Sequence, residues 1–258
     1  MDDNKKIKLT LNINSFVTDV FYFQKNTDEI FIPLLKSLGR LQEEKNRRIL
    51  VFLAAPPGAG KTALSLFLEY LSGSGDFTKI QSLSLDGFHH KSDYLKSNFI
   101  KIDGNDVLMA DVKGRAETFD LKKLAGSLNH LHDDGFMWPV YDRILHDVAE
   151  NKIRLTEKIV LFEGNWILLD EPGWRDLIKF CDFSIFIYAD ENFLENRLID
   201  RKIRGGLSPE AARDFYLRSD LHNVRRVLRN LRKKVDLELE LLTGGVYFIR
   251  EPINGLLT

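Results

Sequence analysis

A lysine followed by a threonine, set behind a turn of small residues, can hold phosphate and a divalent metal at one point. The chain carries this combination as Ala55-Pro56-Pro57-Gly58-Ala59-Gly60-Lys61-Thr62. The stretch fits the pattern G-x-x-x-x-G-K-[ST], with Ala55 in place of the first glycine. Small residues are needed there because successive backbone N–H groups must close around phosphate oxygens. Pro57, Gly58, Ala59, Gly60, Lys61, Thr62 and Ala63 are therefore the expected cradle of a nucleotide. The Lys61 ammonium acts there as a point charge on the β and γ phosphates, and the Thr62 hydroxyl as a ligand of Mg2+. Alanine at position 55 is compatible with this role if its φ is negative. The competing reading, a ligand-free turn from strand to helix, does not explain why Lys and Thr follow the glycines.

Two carboxylates follow apolar runs in the same way. "SLSLDGFHH" sets Asp86 at the end of one predicted strand, and "KIVLFEGNW" sets Glu163 at the end of another. Ligands of open parallel sheets bind beyond the carboxyl ends of the strands, so both side chains are expected to face the cradle. Phosphoryl transfer to an alcohol needs a carboxylate on the acceptor hydroxyl and acidic support for Mg2+. Asp86 is the expected general base. Glu163 is expected to hold a Mg2+-bound water or to touch the acceptor. The alternative for each is a turn or capping role beside Gly87 and Gly164.

Arginines recur at Arg197, Arg201 and Arg204, four and three apart, so they share one helix face. Three guanidiniums on one face can neutralise charge that develops on a transferring phosphoryl group, and Gly205-Gly206 is a hinge candidate. The alternative is a solvated basic face. Tyr141, Arg143 and His146, together with Asp142, follow Trp138-Pro139 and suit recognition of a polyol or an acid; Arg143 matches a carboxylate or phosphate on the acceptor. Surface salt bridging is the competing reading. His89 and His90 could shield or orient Asp86, and Asn165 could bind substrate or serve a turn. His130 and His132 give only two candidate ligands, which do not make a zinc centre. A second basic stripe, Arg225, Arg226, Arg229, Arg232, Lys233 and Lys234, reads as a solvated or sheet-covering helix. A nucleic-acid surface or contact with an anionic acceptor are its alternatives.

The elements that must position these groups are read from periodicity. "RRILVFLAAP", "KIVLFEGNWILL" and "CDFSIFIYAD" are unalternated runs, as expected of strands buried on both faces. "KTALSLFLEYLSG", "FDLKKLAGSLNHLHDD", "ENFLENRLIDRKIRGG" and the stretch from Ser208 to Lys234 read as helices, the last with a start signal at Ser208-Pro209-Glu210. Residues 12–45 are expected to be helical, with Ser15 as a cap, and residues 87–117 to form a long functional loop. "VDLELELLTGGVYFIRE" reads as a terminal hairpin around Gly244-Gly245. Strands alternating with helices predict an α/β, three-layer α/β/α fold with a mostly parallel sheet. One domain is expected over residues 1–258, with a helical extension over 1–47 and a core over 48–258 whose lid lies at about 195–207.

Composition bounds the rest. The 258 residues are 44% hydrophobic and 29% charged, enough to build a core. The net charge of −1 gives no global attraction to nucleic acid or to an anionic membrane. The single cysteine, Cys181, excludes an internal disulfide and reads as a buried structural thiol. No run is long and apolar enough to span a bilayer, and no secretory signal is visible at the start, so a cytoplasmic protein without a membrane or nucleic-acid partner is expected.

Taken in order, "PPGAGKT", "SLDGFHH", "KGRAETFD", "WPVYDRILHD", "IVLFEGNWIL" and "RLIDRKIRGG" resemble the phosphoribulokinase/uridine kinase/type I pantothenate kinase superfamily of P-loop kinases. Within it they are similar to a bacterial branch of nucleoside- and nucleotide-kinase-like proteins, some of them labelled sugar kinases. The resemblance covers residues 48–250. It implies a P-loop NTPase fold with a five-stranded parallel sheet. It also implies use of ATP and Mg2+ to phosphorylate a small-molecule hydroxyl, such as that of a nucleoside, a sugar or a pantothenate-like acceptor. By the same resemblance Asp86 is the base, and Arg197, Arg201 and Arg204 are the lid arginines. Relatives are often dimers or tetramers, which leaves a homo-oligomer open. Ala116 stands where pantothenate kinases have proline, and Asp142, Arg143 and His146 replace their serine, histidine and tyrosine. Those changes fall where the acceptor lies. A second class of function, an ATP-binding regulator or an ATPase without an alcohol acceptor, has no need of Asp86.

Overall fold

Polar and apolar residues alternate through Lys6–Ile13, the pattern of a strand with one covered face. The structure, a computed structural model that describes residues 5–13 and 16–251, forms this stretch as β1 (Lys6–Ile13). β1 pairs antiparallel with β2 (Phe16–Phe23). The helix expected from residue 12 is therefore corrected: its first part is a hairpin, because "FVTDVFYF" is rich in aromatic and β-branched residues that suit a pleated surface. Ser15 lies outside the described residues. Tyr22 anchors the hairpin, stacked on Phe67 with ring centroids 3.8 Å apart. Helix begins only at α1 (Gln24–Asn26), continues through a π turn over Thr27–Phe31, and ends with α2 (Ile32–Lys45).

The apolar runs become the central sheet as expected. β3 (Ile49–Ala54) is buried at every residue and leads through the glycine-rich turn to α3 (Lys61–Ser74), then to β4 (Ile80–Ser84). Residues 84–156 form a compact unit of their own. It holds α4 (Ser92–Ser97), a hairpin of β5 (Phe99–Ile102) and β6 (Asn105–Leu108), α5 (Leu121–Asn129), and a hairpin of β7 (Met137–Asp142) and β8 (Asp147–Arg154). The loop expected over 87–117 is thus largely structured. Asp103 and Gly104, at φ 50° and 82°, supply the tight two-residue turn of the first hairpin.

The chain then returns to the first unit, residues 1–83 and 157–258. β9 (Ile159–Gly164) and β10 (Phe183–Tyr188) are followed by α6 (Glu191–Arg204), α7 (Pro209–Phe215) and α8 (Leu221–Arg229), with a π turn over Tyr216–Asp220 between the last two. Ser208 caps α7 by accepting from the Ala211 N–H. β11 (Leu237–Leu241) and β12 (Tyr247–Glu251) close the chain as the expected hairpin. The strand order is β12-β11-β10-β3-β9-β4. The pairs linking β11, β10, β3 and β9 are parallel, and β12 adds a sixth, antiparallel strand to the five expected. Asn26 covers the backbone of that edge strand: its Nδ2 donates to Tyr247 O at 2.8 Å and its Oδ1 accepts from Tyr247 N at 2.9 Å.

Candidate active site

Parallel pairing of β3 with β9 sets Leu53 opposite Glu163 and Ala54 opposite Gly164. Glu163 therefore stands beside the turn that leaves β3, and its side chain is buried. Thr62 Oγ1 donates to Glu163 Oε1 at 3.0 Å, and Lys61 Nζ lies 3.8 Å from Glu163 Oε2. The turn depends on glycine at two points, Gly58 at φ 84° and Gly60 at φ 82°, both in the left-handed region. A methyl group at Gly58 would also lie 3.0 Å from Leu198 Cγ. Ala55 has no positive φ, which meets the condition for alanine at that position.

The first N–H groups of a helix have no intrahelical partner. At the start of α3 no side chain caps them and no acidic residue stands in the first turn. An anion can take that place, with the helix dipole and Lys61 in its favour. These residues fit ATP with Mg2+: donors and a cation for phosphate, and adjacent Thr62 and Glu163 oxygens for a hard cation. Among the described residues no cluster of three or more His, Cys, Asp or Glu side chains forms a metal site.

α6 packs over this turn through Leu198, which like Leu194 is fully buried. Its N-terminus is capped by Asp190, whose Oδ1 accepts from Asn192 N and Phe193 N. Arg197 comes to the cradle: a methyl group at Gly60 would lie 3.6 Å from its Nη2. Arg201 and Arg204 are exposed in the last turn of α6, before Gly205 and Gly206. Gly206 has φ 101°, so α6 is followed by a glycine turn.

In the other unit, Asp86 sits in a short 3-10 turn, Leu85–Phe88, two residues past the end of β4. Ser84 Oγ accepts from the Asp86 N–H and fixes the turn. A Cβ at Gly87 would lie 2.3 Å from the Pro139 carbonyl oxygen, so only glycine lets β7 approach the turn this closely. That approach brings Arg143 Nη2 to 3.5 Å from Asp86 Oδ2. Lys113 Nζ donates to Tyr141 OH at 2.8 Å and lies 4.1 Å from the Tyr141 ring centroid. His89 is buried and stacked on Phe119 at 3.8 Å. Burial pushes its pKa down to about 4; the nearby Asp86 charge works against this and the Lys113 charge adds to it, so the imidazole is neutral near pH 7.

No family model matches the chain. The YggC protein of Escherichia coli K12, itself uncharacterised, is 40% identical over 243 residues, 93% of this chain and 98% of that protein. A Schizosaccharomyces pombe protein provisionally named a uridine kinase is 27% identical over 212 residues, 79% of this chain and 86% of that protein. A crystal structure from Silicibacter sp. TM1040, provisionally called a fructose transport system kinase, matches with a TM-score of 0.68 at 30% identity, over 80% of this chain and 98% of that chain. The chain belongs to the phosphoribulokinase/uridine kinase/pantothenate kinase superfamily of P-loop kinases.

In this P-loop kinase the residues singled out from sequence divide into groups. Pro57, Gly58, Ala59, Gly60, Lys61, Thr62 and Ala63 form one continuous turn and helix start, with Glu163 and Arg197 beside it. Asn165 follows β9, and its buried Oδ1 has no hydrogen-bond partner, which leaves an acceptor for an outside donor. Asp86, Tyr141 and Arg143 gather in the second unit. His90 is half-buried and stacked on Tyr94 at 4.2 Å. Asp142 shapes the β7–β8 turn, accepting from Ile144 N and Leu145 N. His146 is exposed in that turn at φ 50°, and its carbonyl accepts from Ser92 Oγ. Its imidazole makes no hydrogen bond or ion pair with the described residues. Lys113 was not predicted, although it opens the quoted "KGRAETFD" stretch. Cys181, expected to be buried, is half-buried; its Sγ donates to Phe183 O at 3.0 Å, and desolvation of the thiol pushes its pKa up to about 12. Among the described residues no helix is long and apolar enough to cross a membrane.

Proposed function

We propose that this protein is an ATP-dependent phosphotransferase that phosphorylates a hydroxyl of a small molecule, a nucleoside, a sugar or a pantothenate-like acid, with Mg2+ as its metal. Bound Mg-ATP supplies the phosphoryl group and an electrophilic phosphorus. The protein's own residues do the rest. The N–H groups of the Gly58–Lys61 turn and the Lys61 ammonium bind phosphate oxygens, and Thr62 and Glu163 supply the oxygens that orient the metal. Arg197 adds positive charge beside the same turn, and Arg201 and Arg204 follow on the lid face. Asp86 accepts the proton of the acceptor hydroxyl as that oxygen becomes nucleophilic. Tyr141, Arg143, His90, His146 and Asn165 are the proposed acceptor contacts. Neutral His89 adds no positive charge to this cluster.

One observation carries the acceptor half of this reading. The Asp86 side chain is 45% exposed, and the one cation paired with it among the described residues, Arg143, stands at a long 3.5 Å. A carboxylate placed only for structure would be sealed by short bonds, as Asp182 is by Arg47 and the Leu50 N–H. The test is ADP release by purified protein with and without pooled sugars, nucleosides and pantothenate. Turnover that rises with one acceptor supports the kinase. Full-rate turnover without any acceptor means an ATPase instead.

A further inference from the structure

The proposed reaction leaves the arginines of α8 unused. His222, Arg225, Arg226 and Arg229 recur at i, i+3, i+4 and i+7, so they share one face of the helix. With Asn230 they line a recess of about 380 Å3. Two of the guanidiniums are held rigidly. Arg225 gives Nε and Nη2 to Glu191 at 3.0 and 2.7 Å. Arg226 gives Nε and Nη2 to Glu171 at 3.0 and 2.6 Å, and Asn230 Nδ2 holds the same carboxylate at 2.7 Å. The two carboxylates thus hydrogen-bond Arg225 and Arg226, while Arg229 meets Glu191 only through space. Arg229 and His222 are exposed and make no hydrogen bond or ion pair within 4 Å among the described residues.

We propose that this recess is a binding site for the phosphate or carboxylate group of a small metabolite. Glu191 and Glu171 act as braces that fix two planar donors at its wall, and Arg229, a third guanidinium against those two carboxylates, leaves the recess with excess positive charge that attracts the anion. Cations near a helix C-terminus are favoured by the helix dipole, which accounts for Arg226 and Arg229 without any ligand. It does not account for His222 in the first turn, or for a cavity between these side chains. The volume suits one small molecule rather than a nucleic-acid strand.

Calorimetric titration of inorganic phosphate into protein saturated with Mg-ADP tests this, because the nucleotide occupies the other phosphate site. Sodium chloride at matched ionic strength is the control. Saturable binding with a Kd on the order of 1 mM or tighter is expected. Arg229→Gln, at an exposed position, should weaken it by about fivefold or more, as should Arg225→Gln. Arg250→Gln, at another exposed ion pair, should leave it unchanged. No saturable uptake, or uptake that Arg229→Gln and Arg225→Gln do not alter, overturns the site and returns α8 to a solvated basic face. The source of the anion is read separately from ADP formation and rests on the proposed kinase reaction. Phosphate that competes with the acceptor marks the acceptor's own anionic group, and phosphate that does not marks a second metabolite. The binding arm stands or falls whatever reaction the protein performs.

Discussion

Around Lys61 the groups proposed to meet phosphate are packed in place. Glu163 is 3% exposed and holds Thr62 by a 3.0 Å bond, while Leu198 fills the space over Gly58. Around Asp86 the corresponding groups stand half in solvent: the Asp86 side chain is 45% exposed, that of Arg143 37%, and one 3.5 Å contact joins them. The first set hangs from the centre of the sheet, where parallel register fixes position. The second hangs from a 3-10 turn and a hairpin loop. A nucleotide always presents the same phosphates, so the fold can build its site into the core. Acceptors differ, and residues on turns can change without disturbing buried strands. On the proposed function, rigidity then goes with the shared chemistry and adaptability with specificity.

The sharpest way to break it is Lys61→Ala. Removing the point charge on the phosphates should cut ADP formation by about three orders of magnitude or more. The variant also removes the ammonium 3.8 Å from buried Glu163, so a thermal melt must accompany the assay. Activity within about tenfold of wild type in a folded variant would contradict the role given to this turn. Asp86→Asn comes next. Turnover should drop by roughly two to four orders of magnitude while the KM for ATP stays nearly constant. If ATP binding collapses instead, Asp86 is structural and the two regions are not separable in the way argued.

The same contrast explains what could be read from sequence. β3, the turn, α3 and β9 were legible because burial on both faces writes unbroken apolar runs, and the motif then fixes Lys61 and Thr62 within them. Glu163 was legible because it ends such a run. The N-terminal hairpin was not: Phe16 with Val20 and Val17 with Phe21 also fit helical spacing, and short apolar runs are ambiguous between the two periods. The alternation over Lys6–Ile13 and the aromatic enrichment of β2 decide for strand. The turn Asp103-Gly104 was a readable hairpin signal lost in a stretch dominated by charge. Lys113 and Arg143 lie 28 and 57 residues from the partners they touch, and no local pattern encodes pairings across such distances.

His89 gives a smaller effect with a definite sign. Its folded pKa, about 4, lies below the ordinary value of 6.5. Between these two the unfolded chain takes up a proton that the folded chain refuses. This contribution to stability is complete above pH 6.5 and is lost as pH falls toward 4. The loss should amount to roughly 1–3 kcal/mol, read as the difference between urea unfolding at pH 7 and at pH 4.5. His89→Gln should show a shallower pH dependence than wild type over this window. An identical slope in both would mean that the imidazole is not held neutral.

The finest cut between the two regions is Arg143→Gln. A half-exposed pair at 3.5 Å contributes about 0–1 kcal/mol to stability, so the melting temperature should barely move. The nucleotide site shares no residue with Arg143, so the KM for ATP should stay within about twofold. The KM for an anionic acceptor should rise severalfold, by about fivefold to fiftyfold, because a charge-assisted hydrogen bond to the acceptor is lost. A neutral acceptor should show no such rise, since it offers Arg143 no charge to meet. If ATP and acceptor weaken together, the cluster around Asp86 serves both substrates, and adaptability cannot be assigned to it alone.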